Sequence, residues 1–296
     1  MTDVMHPGPD IEEQVSGPGR DEGLFHASTV LLGLAFATAL SGLLVDDLYR
    51  GPDATAAMFR AYDLVTVLVV TPVLAIATLT LHRRSRAPTL ATTGLAAYLV
   101  YTYAYYLFGT GFNDAFLAHV AVFVAGLVTL VLGLRAVDRT GAPPLLLARA
   151  RARLVAVLIG VLTLSLAGMW VWVALDNALN GTVPAGSQLV ETEAVVRLGM
   201  VLDLSLLVPF YAVAVALLWR GRAWGFHLGA VALASGLLHQ VSYLVAMPVQ
   251  VAADVPGAVG SDPLEPVIVV VYLLAAVLLA RARRSAPARR RADSTG

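Results

Sequence analysis

Cysteine is absent from the 296 residues, and so is lysine. Without thiols the chain has no disulfide, no thiolate metal site, no c-type haem attachment and no lipidated cysteine anchor. Charge of either sign is scarce. Only 14% of residues are Asp, Glu, Lys or Arg, against about 25% in a soluble domain. There is no broad basic domain of the kind that binds nucleic acid. A Gly-rich phosphate loop ending in Gly-Lys-Ser/Thr and a His-Glu-x-x-His pair are both missing. So is a His-x-x-x-His pair, which the seven-helix membrane zinc hydrolases need beside a Ser-x-x-x-His like Ser235 and His239.

What fills the chain instead is apolar. Hydrophobic residues make up 58% of it, and the mean hydropathy is +0.76. Eight apolar segments stand out, at 24–44, 62–81, 88–108, 113–134, 154–175, 197–219, 224–247 and 264–280. Each is about 17–24 residues long, which at about 1.5 Å per residue matches a hydrocarbon core about 30 Å thick. The pattern predicts an all-α, polytopic transmembrane bundle of about eight helices. Residues 1–23 form a polar, acidic tail, with Asp3, Asp10, Glu12, Glu13, Asp21 and Glu22 against Arg20. A signal peptide begins with the opposite sign, so the first apolar segment is expected to be a retained helix.

The arginines set the orientation. Sixteen of the twenty lie after the second, fourth, sixth and eighth segments, in the short linkers, in 135–153 and in 281–296. The opposite side holds Arg50, Arg60 and Arg197. By the positive-inside rule both termini are expected in the cytoplasm. The linker 135–153 contains Pro143 and Pro144, which stop the fourth helix, and its arginines read as a solvated topogenic cluster. The domain plan is therefore helices one to four over 24–134, the linker, helices five to eight over 154–280, and an Arg-rich tail.

A weak internal repeat is present. The second segment carries Asp63 and then Pro72, and the sixth carries Asp203 and then Pro209. A true duplication would give two parallel four-helix halves, since four crossings return the chain to its starting side. Parallel repeats of this kind occur in transporters. Gly225 and Gly229 form a GxxxG pattern that points to close helix packing.

The stretch Tyr101-Thr-Tyr-Ala-Tyr-Tyr-Leu-Phe-Gly109, followed by Phe112-Asn113 and Phe116-Leu117-Ala-His-Val120, resembles a family of bacterial integral membrane proteins with no assigned activity. The resemblance covers the second to fourth segments, about a third of the chain, and implies fold class alone. The Lys-free, Arg- and Ala-rich composition fits a high-GC bacterial genome, and hence the bacterial cytoplasmic membrane.

Ionisable groups inside a bilayer are costly and are candidate functional residues. Asp203 and His119 lie about 9 Å from the outer starts of their segments, and His239 about 12 Å from the outer end of its own. Tyr101 and Tyr105 lie near the outer end of the third segment, and Asp63 just inside the start of the second. Ser235, His239 and Ser242 or Tyr243 share one helix face. These residues point to an outward-facing polar pocket for a small solute or ion, in a carrier or permease-like protein with no cofactor. Alternative readings are kept open. Asp203 and the histidines are structural glue between helices. Or His119 and His239 hold haem b, or with Asp203 a zinc ion, in a membrane enzyme or electron carrier. Or the chain is a scaffold or sensor. Whether it is an enzyme stays open, with the balance against. Pro72 and Pro209 mark broken helices of the kind that coordinate ions in transporters. His6, His26, His82 and His227 lie outside the core or near solvent-reached helix ends, and no role is expected for them.

The charge asymmetry yields a direct test. Fluorescent protein fused at the C-terminus should fold and fluoresce, whereas alkaline phosphatase fused there should stay inactive. The opposite pair of results overturns the assigned orientation.

Overall fold

In a computed structural model the described residues are 22–83, 85–139, 145–146, 149–183, 188–281 and 283–284. Residues 1–21, 84, 140–144, 147–148, 184–187, 282 and 285–296 lie outside them, Pro143 and Pro144 of the linker included. Among the described residues the regular structure is helical apart from a two-residue antiparallel pairing of Leu145–Leu146 with Arg283–Arg284.

The helices are α1 Glu22–Leu44, α2 Asp53–Leu79, α3 Arg86–Phe108, α4 Phe116–Arg139, α5 Arg149–Asn180, α6 Glu193–Trp219, α7 Ala223–Ala252 and α8 Leu264–Ala280. Six of them (α1, α2, α4, α5, α6 and α7) are long and apolar enough to cross a membrane, which makes this a multi-pass membrane architecture. Leucines and valines such as Leu68, Ile76, Leu164 and Val270 stand exposed around the bundle. Water would not tolerate so continuous an apolar surface.

Several helices start earlier or end later than hydropathy indicates. α2 opens at Asp53 rather than 62, α6 at Glu193 rather than 197, and α7 runs on to Ala252. α5 takes in Arg149, Arg151 and Arg153, which had been assigned to the linker. These first and last turns are amphipathic, so an apolar-run criterion cuts them off. Arg153 uses its position to stack on Trp219, 5.4 Å from the ring centre. Asp63 is consequently ten residues into α2, about 15 Å along the axis, not just inside its start. Asp203 lies equally far into α6.

Pro72 and Pro209 do interrupt regular helix, and each does so through a π-turn. Residues 66–70 and 203–207 are the widened turns. Thr71 N–H donates to the Thr66 carbonyl five residues back, and Val208 N–H to that of Asp203. Proline has no N–H and crowds the carbonyl of the preceding turn. One extra residue in that turn relieves the crowding without breaking the rod. The two π-turns stand in the same register to their prolines.

Packing divides the chain in the middle. α1 and α3 each pack against α2 and α4, and α5 and α7 each pack against α6 and α8. Each half is thus a closed ring with the same neighbour order. The first has a core around Leu31, Phe59, Tyr98 and Val122, the second around Ile159, Tyr211, Leu233 and Ala275. The halves join where α7 lies on α2 and α3. At Gly94 of α3 an added Cβ would come within 2.6 Å of the Ala234 Cβ, so only glycine permits this approach. Gly225 of the GxxxG pattern lies against the Leu217–Leu218 backbone of α6 within the same chain. His227 is buried between Trp224 and Phe226 rather than reached by solvent, because α7 begins inside the second core.

Gly42 of α1 faces the Asp63 carboxylate and the Tyr49 hydroxyl, and a Cβ there would overlap both. Gly33 on the same helix has open space around it. We expect Gly42→Ala to destabilise the protein by about 1–3 kcal/mol, the usual cost of overpacking. Gly33→Ala should be neutral or slightly stabilising. Thermal unfolding of both variants in one detergent checks this. Equal midpoints would show that the carboxylate does not press on α1.

Candidate functional site

Between the two rings lies a cavity of about 650 Å³, within the range of small-molecule sites. Walls come from Tyr62 of α2, from α3, α4, α5, α6, α7 and α8, and from Glu191 in the segment before α6. Four sequence-selected residues line it together: Asp203, His239, Tyr101 and Tyr105.

Asp203 is the first residue of the α6 π-turn and is 6% exposed. The Tyr101 hydroxyl donates to Oδ1, and Trp170 Nε1 donates to Oδ2 at 2.7 Å. A carboxylate withdrawn from water needs such donors to stay charged. They come from α3 and α5, so Asp203 ties three helices together. The Tyr105 hydroxyl lies 3.3 Å from that of Tyr101. His239 meets the Tyr101 ring edge-on at 4.8 Å and lies 6.3 Å from each of Tyr62 and Tyr105. Its Nδ1 is buried without a hydrogen-bond partner among the described residues. Glu265, in the first turn of α8, accepts a hydrogen bond from the Gln240 amide, and both line the cavity.

Glu191 is held over the same space by a clamp on α7. The Tyr243 hydroxyl accepts from the backbone N–H of Gln188 at 2.8 Å and of Leu189 at 3.0 Å. Gln250 accepts from Val190 N–H at 3.0 Å and donates to the Val190 carbonyl at 2.8 Å and the Ala54 carbonyl at 3.0 Å. Burial and the neighbouring Asp203 charge push the Glu191 carboxyl up to about 7.

The other two selected residues, Asp63 and His119, are placed elsewhere. Asp63 is 1% exposed. It accepts from the Tyr49 hydroxyl at 2.5 Å and the Tyr106 hydroxyl at 2.9 Å. His119 is fully buried against the rings of Tyr49, Tyr103 and Tyr106. Neither of its ring nitrogens has a hydrogen-bond partner among the described residues. This second centre belongs to the first four helices, whereas His239 and Asp203 face the cavity. The three-ligand site of His119, His239 and Asp203 is therefore not formed. Among the described residues no group of three or more His, Asp or Glu is placed to hold a metal ion. His119 is ringed by Tyr49, Tyr103 and Tyr106, and His239 by Tyr62, Tyr101 and Tyr105.

Sequence reasoning missed Glu191, Glu265, Gln240 and Trp170. Glu191 precedes a helix and Glu265 starts one, where acids are ordinary. Trp170 reads as an interfacial aromatic. Only Gln240 had a usable signal, as the neighbour of His239 in an otherwise apolar segment.

The clamp generates a test. Tyr243→Phe removes the acceptor of two backbone N–H groups, and a hydrogen bond is worth about 1 kcal/mol net, or about fivefold in an opening equilibrium. Amide exchange at Gln188 and Leu189 should rise about fivefold or more in this variant, with α1 exchange unchanged. Unchanged exchange at both positions would mean that the segment is held by other contacts. Against this geometry, no protein-family model, no curated protein and no solved structure matches the chain, so the resemblance of the Tyr101–Gly109 stretch has no matched family behind it.

Proposed function

We propose that this protein is a carrier or permease-like protein of the bacterial cytoplasmic membrane that binds a small, positively charged solute or ion in the cavity between its halves. Eight crossings, two parallel four-helix halves and both termini in the cytoplasm complete the reading. The arginine bias supports the orientation, and the shared ring order and π-turn register support the duplication.

One observation carries the functional reading. The described residues lining the cavity include three carboxylates, Glu191, Asp203 and Glu265, and no arginine. An uncompensated carboxylate in a low-dielectric site favours either a proton or a cation. Asp203 accepts from two fixed donors and keeps lone pairs free for a third partner. His239 adds an unpaired ring nitrogen. A solute entering here displaces protons and becomes the counter-charge. Rocking of one ring against the other about α3 and α7 would then carry the site between the two sides, as in parallel-repeat transporters.

Glu191 makes the reading pH-dependent. Below about pH 7 its carboxyl is protonated and neutral. Above that it is charged, so cation affinity should rise with pH. The groups facing it are Asp203, Tyr62 and Tyr105, with His239 and Glu265 in the same cavity. The experiment titrates tetramethylammonium into purified protein in lipid nanodiscs. Trp170 fluorescence is read in a background where Trp172, Trp219 and Trp224 are Phe. Saturable binding should tighten up to about tenfold between about pH 6 and about pH 8. Glu191→Gln should flatten that rise, and Asp203→Asn should weaken binding at every pH. A panel of small cations giving no saturable signal overturns the proposal.

A further inference from the structure

We infer that the solute is an amphiphile: an organic cation whose charged head sits among Glu191, Asp203 and Glu265 and whose apolar portion runs along α3, α4 and α7 to the far end of the cavity. This rests on the carrier reading and names its substrate class.

The cavity is polarised along its length. All three carboxylates, His239, Gln240 and Tyr243 lie toward one end: Glu191 just before α6, Asp203 ten residues into it, Glu265 in the first turn of α8, and the other three in the later half of α7. The other end is lined by Ala97, Leu130, Leu134, Leu166, Leu207 and Val231. Its hydroxyls are already engaged. Ser235 donates to the Val231 carbonyl at 2.9 Å, the Tyr272 hydroxyl lies 3.4 Å from that of Tyr211, and Tyr98 bonds Ser242 at 2.7 Å. This end therefore offers hydrocarbon and no free donor.

The length is set by the helices. Lining residues run from Ala97 to Phe108 on α3 and from Phe123 to Leu134 on α4, about 16 Å each at helical rise. On α7 they run from Val231 to Tyr243, about 18 Å. A bare metal ion or a compact cation would leave most of such a space empty, and an empty apolar limb forfeits contact. An apolar chain or fused ring fills it. The head end suits a cation and repels an anion. Three carboxylates meet the head, and the faces of Tyr62, Tyr101, Tyr105 and Trp170 add cation–π attraction. A phosphate or carboxylate head would find no arginine among the described lining residues.

The test uses the same nanodisc-embedded, Trp170-only protein and compares three probes below their micelle-forming concentrations: tetramethylammonium, decyltrimethylammonium and decyl sulfate. The signal read is the saturable component that Asp203→Asn removes, which separates site binding from partition into lipid. Decyltrimethylammonium should bind at least about tenfold tighter than tetramethylammonium, since each buried methylene adds affinity, and decyl sulfate should show no saturable binding. Ala97→Phe, and independently Leu166→Phe, should fill the apolar limb. Each should cost decyltrimethylammonium at least about tenfold while sparing tetramethylammonium, whose retained binding reports a folded site. Equal affinity for the two cations, or no loss in either filled variant, overturns the amphiphile inference and leaves the carrier reading standing. Saturable decyl sulfate binding overturns the charge assignment. Failure of every cation overturns both.

Discussion

A carboxylate about 15 Å inside a helical bundle has to be hydrogen-bonded, and the architecture follows from meeting that requirement twice. Asp63 on α2 and Asp203 on α6 stand at the same depth, and each takes two donors from other elements. Tyr49 and Tyr106 serve Asp63, and Tyr101 and Trp170 serve Asp203. α3 supplies one donor to each. It is consequently pinned between the halves by two carboxylates, and it can fill that place only because Thr, Tyr and Gly replace the leucines of a lipid-facing helix. The outermost faces of α2, α4 and α5 do the reverse and show Leu and Val to the surroundings.

The two centres solve the same problem with different outcomes. Around Asp63 the rings of Phe59 and Tyr106 stack at 4.2 Å and those of Tyr103 and Tyr106 at 5.0 Å. Gly42 brings the α1 backbone close to the carboxylate on the remaining side. That centre is closed, and its role as drawn is to hold α1, α2 and α3 together. Around Asp203 the rings of Tyr101, Tyr105 and His239 are also in contact, but Glu191 and Glu265 stand in the same space and a cavity remains. The sequence presents structural glue and a binding pocket as rival readings of one group of residues; packing separates Asp63 and His119 from the cavity that Asp203, His239, Tyr101 and Tyr105 line.

The π-turns bear on how such a site would move. Widened turns store an alternative hydrogen-bond register, and one of them begins at Asp203 itself. A shift there would change the aim of the carboxylate without unfolding α6. The matching turn on α2 begins at Thr66, three residues beyond Asp63, so the two halves are not equivalent in what their turns would move.

Hydropathy alone located the apolar helical segments, six of them long and apolar enough to cross a membrane, because apolar runs of membrane length are a one-dimensional signal. It truncated α2, α5, α6 and α7, because turns that leave the apolar zone carry charge and look like loops. Helical periodicity also placed Ser235, His239 and Tyr243 on one face of α7. What it could not provide is which faces meet. Hydropathy puts His119 and His239 at comparable depths in their apolar segments, yet tertiary packing puts one against Tyr49 and Tyr103 and the other against Tyr101 and Tyr62. Glu191 reaches the cavity only because Tyr243 and Gln250 hold the backbone before it, and Glu265 only because α8 closes the second ring. Segment order and depth are properties of a single chain stretch. A site built from seven helices and a clamped loop is a property of their rotation about their own axes, which packing of small and large side chains decides.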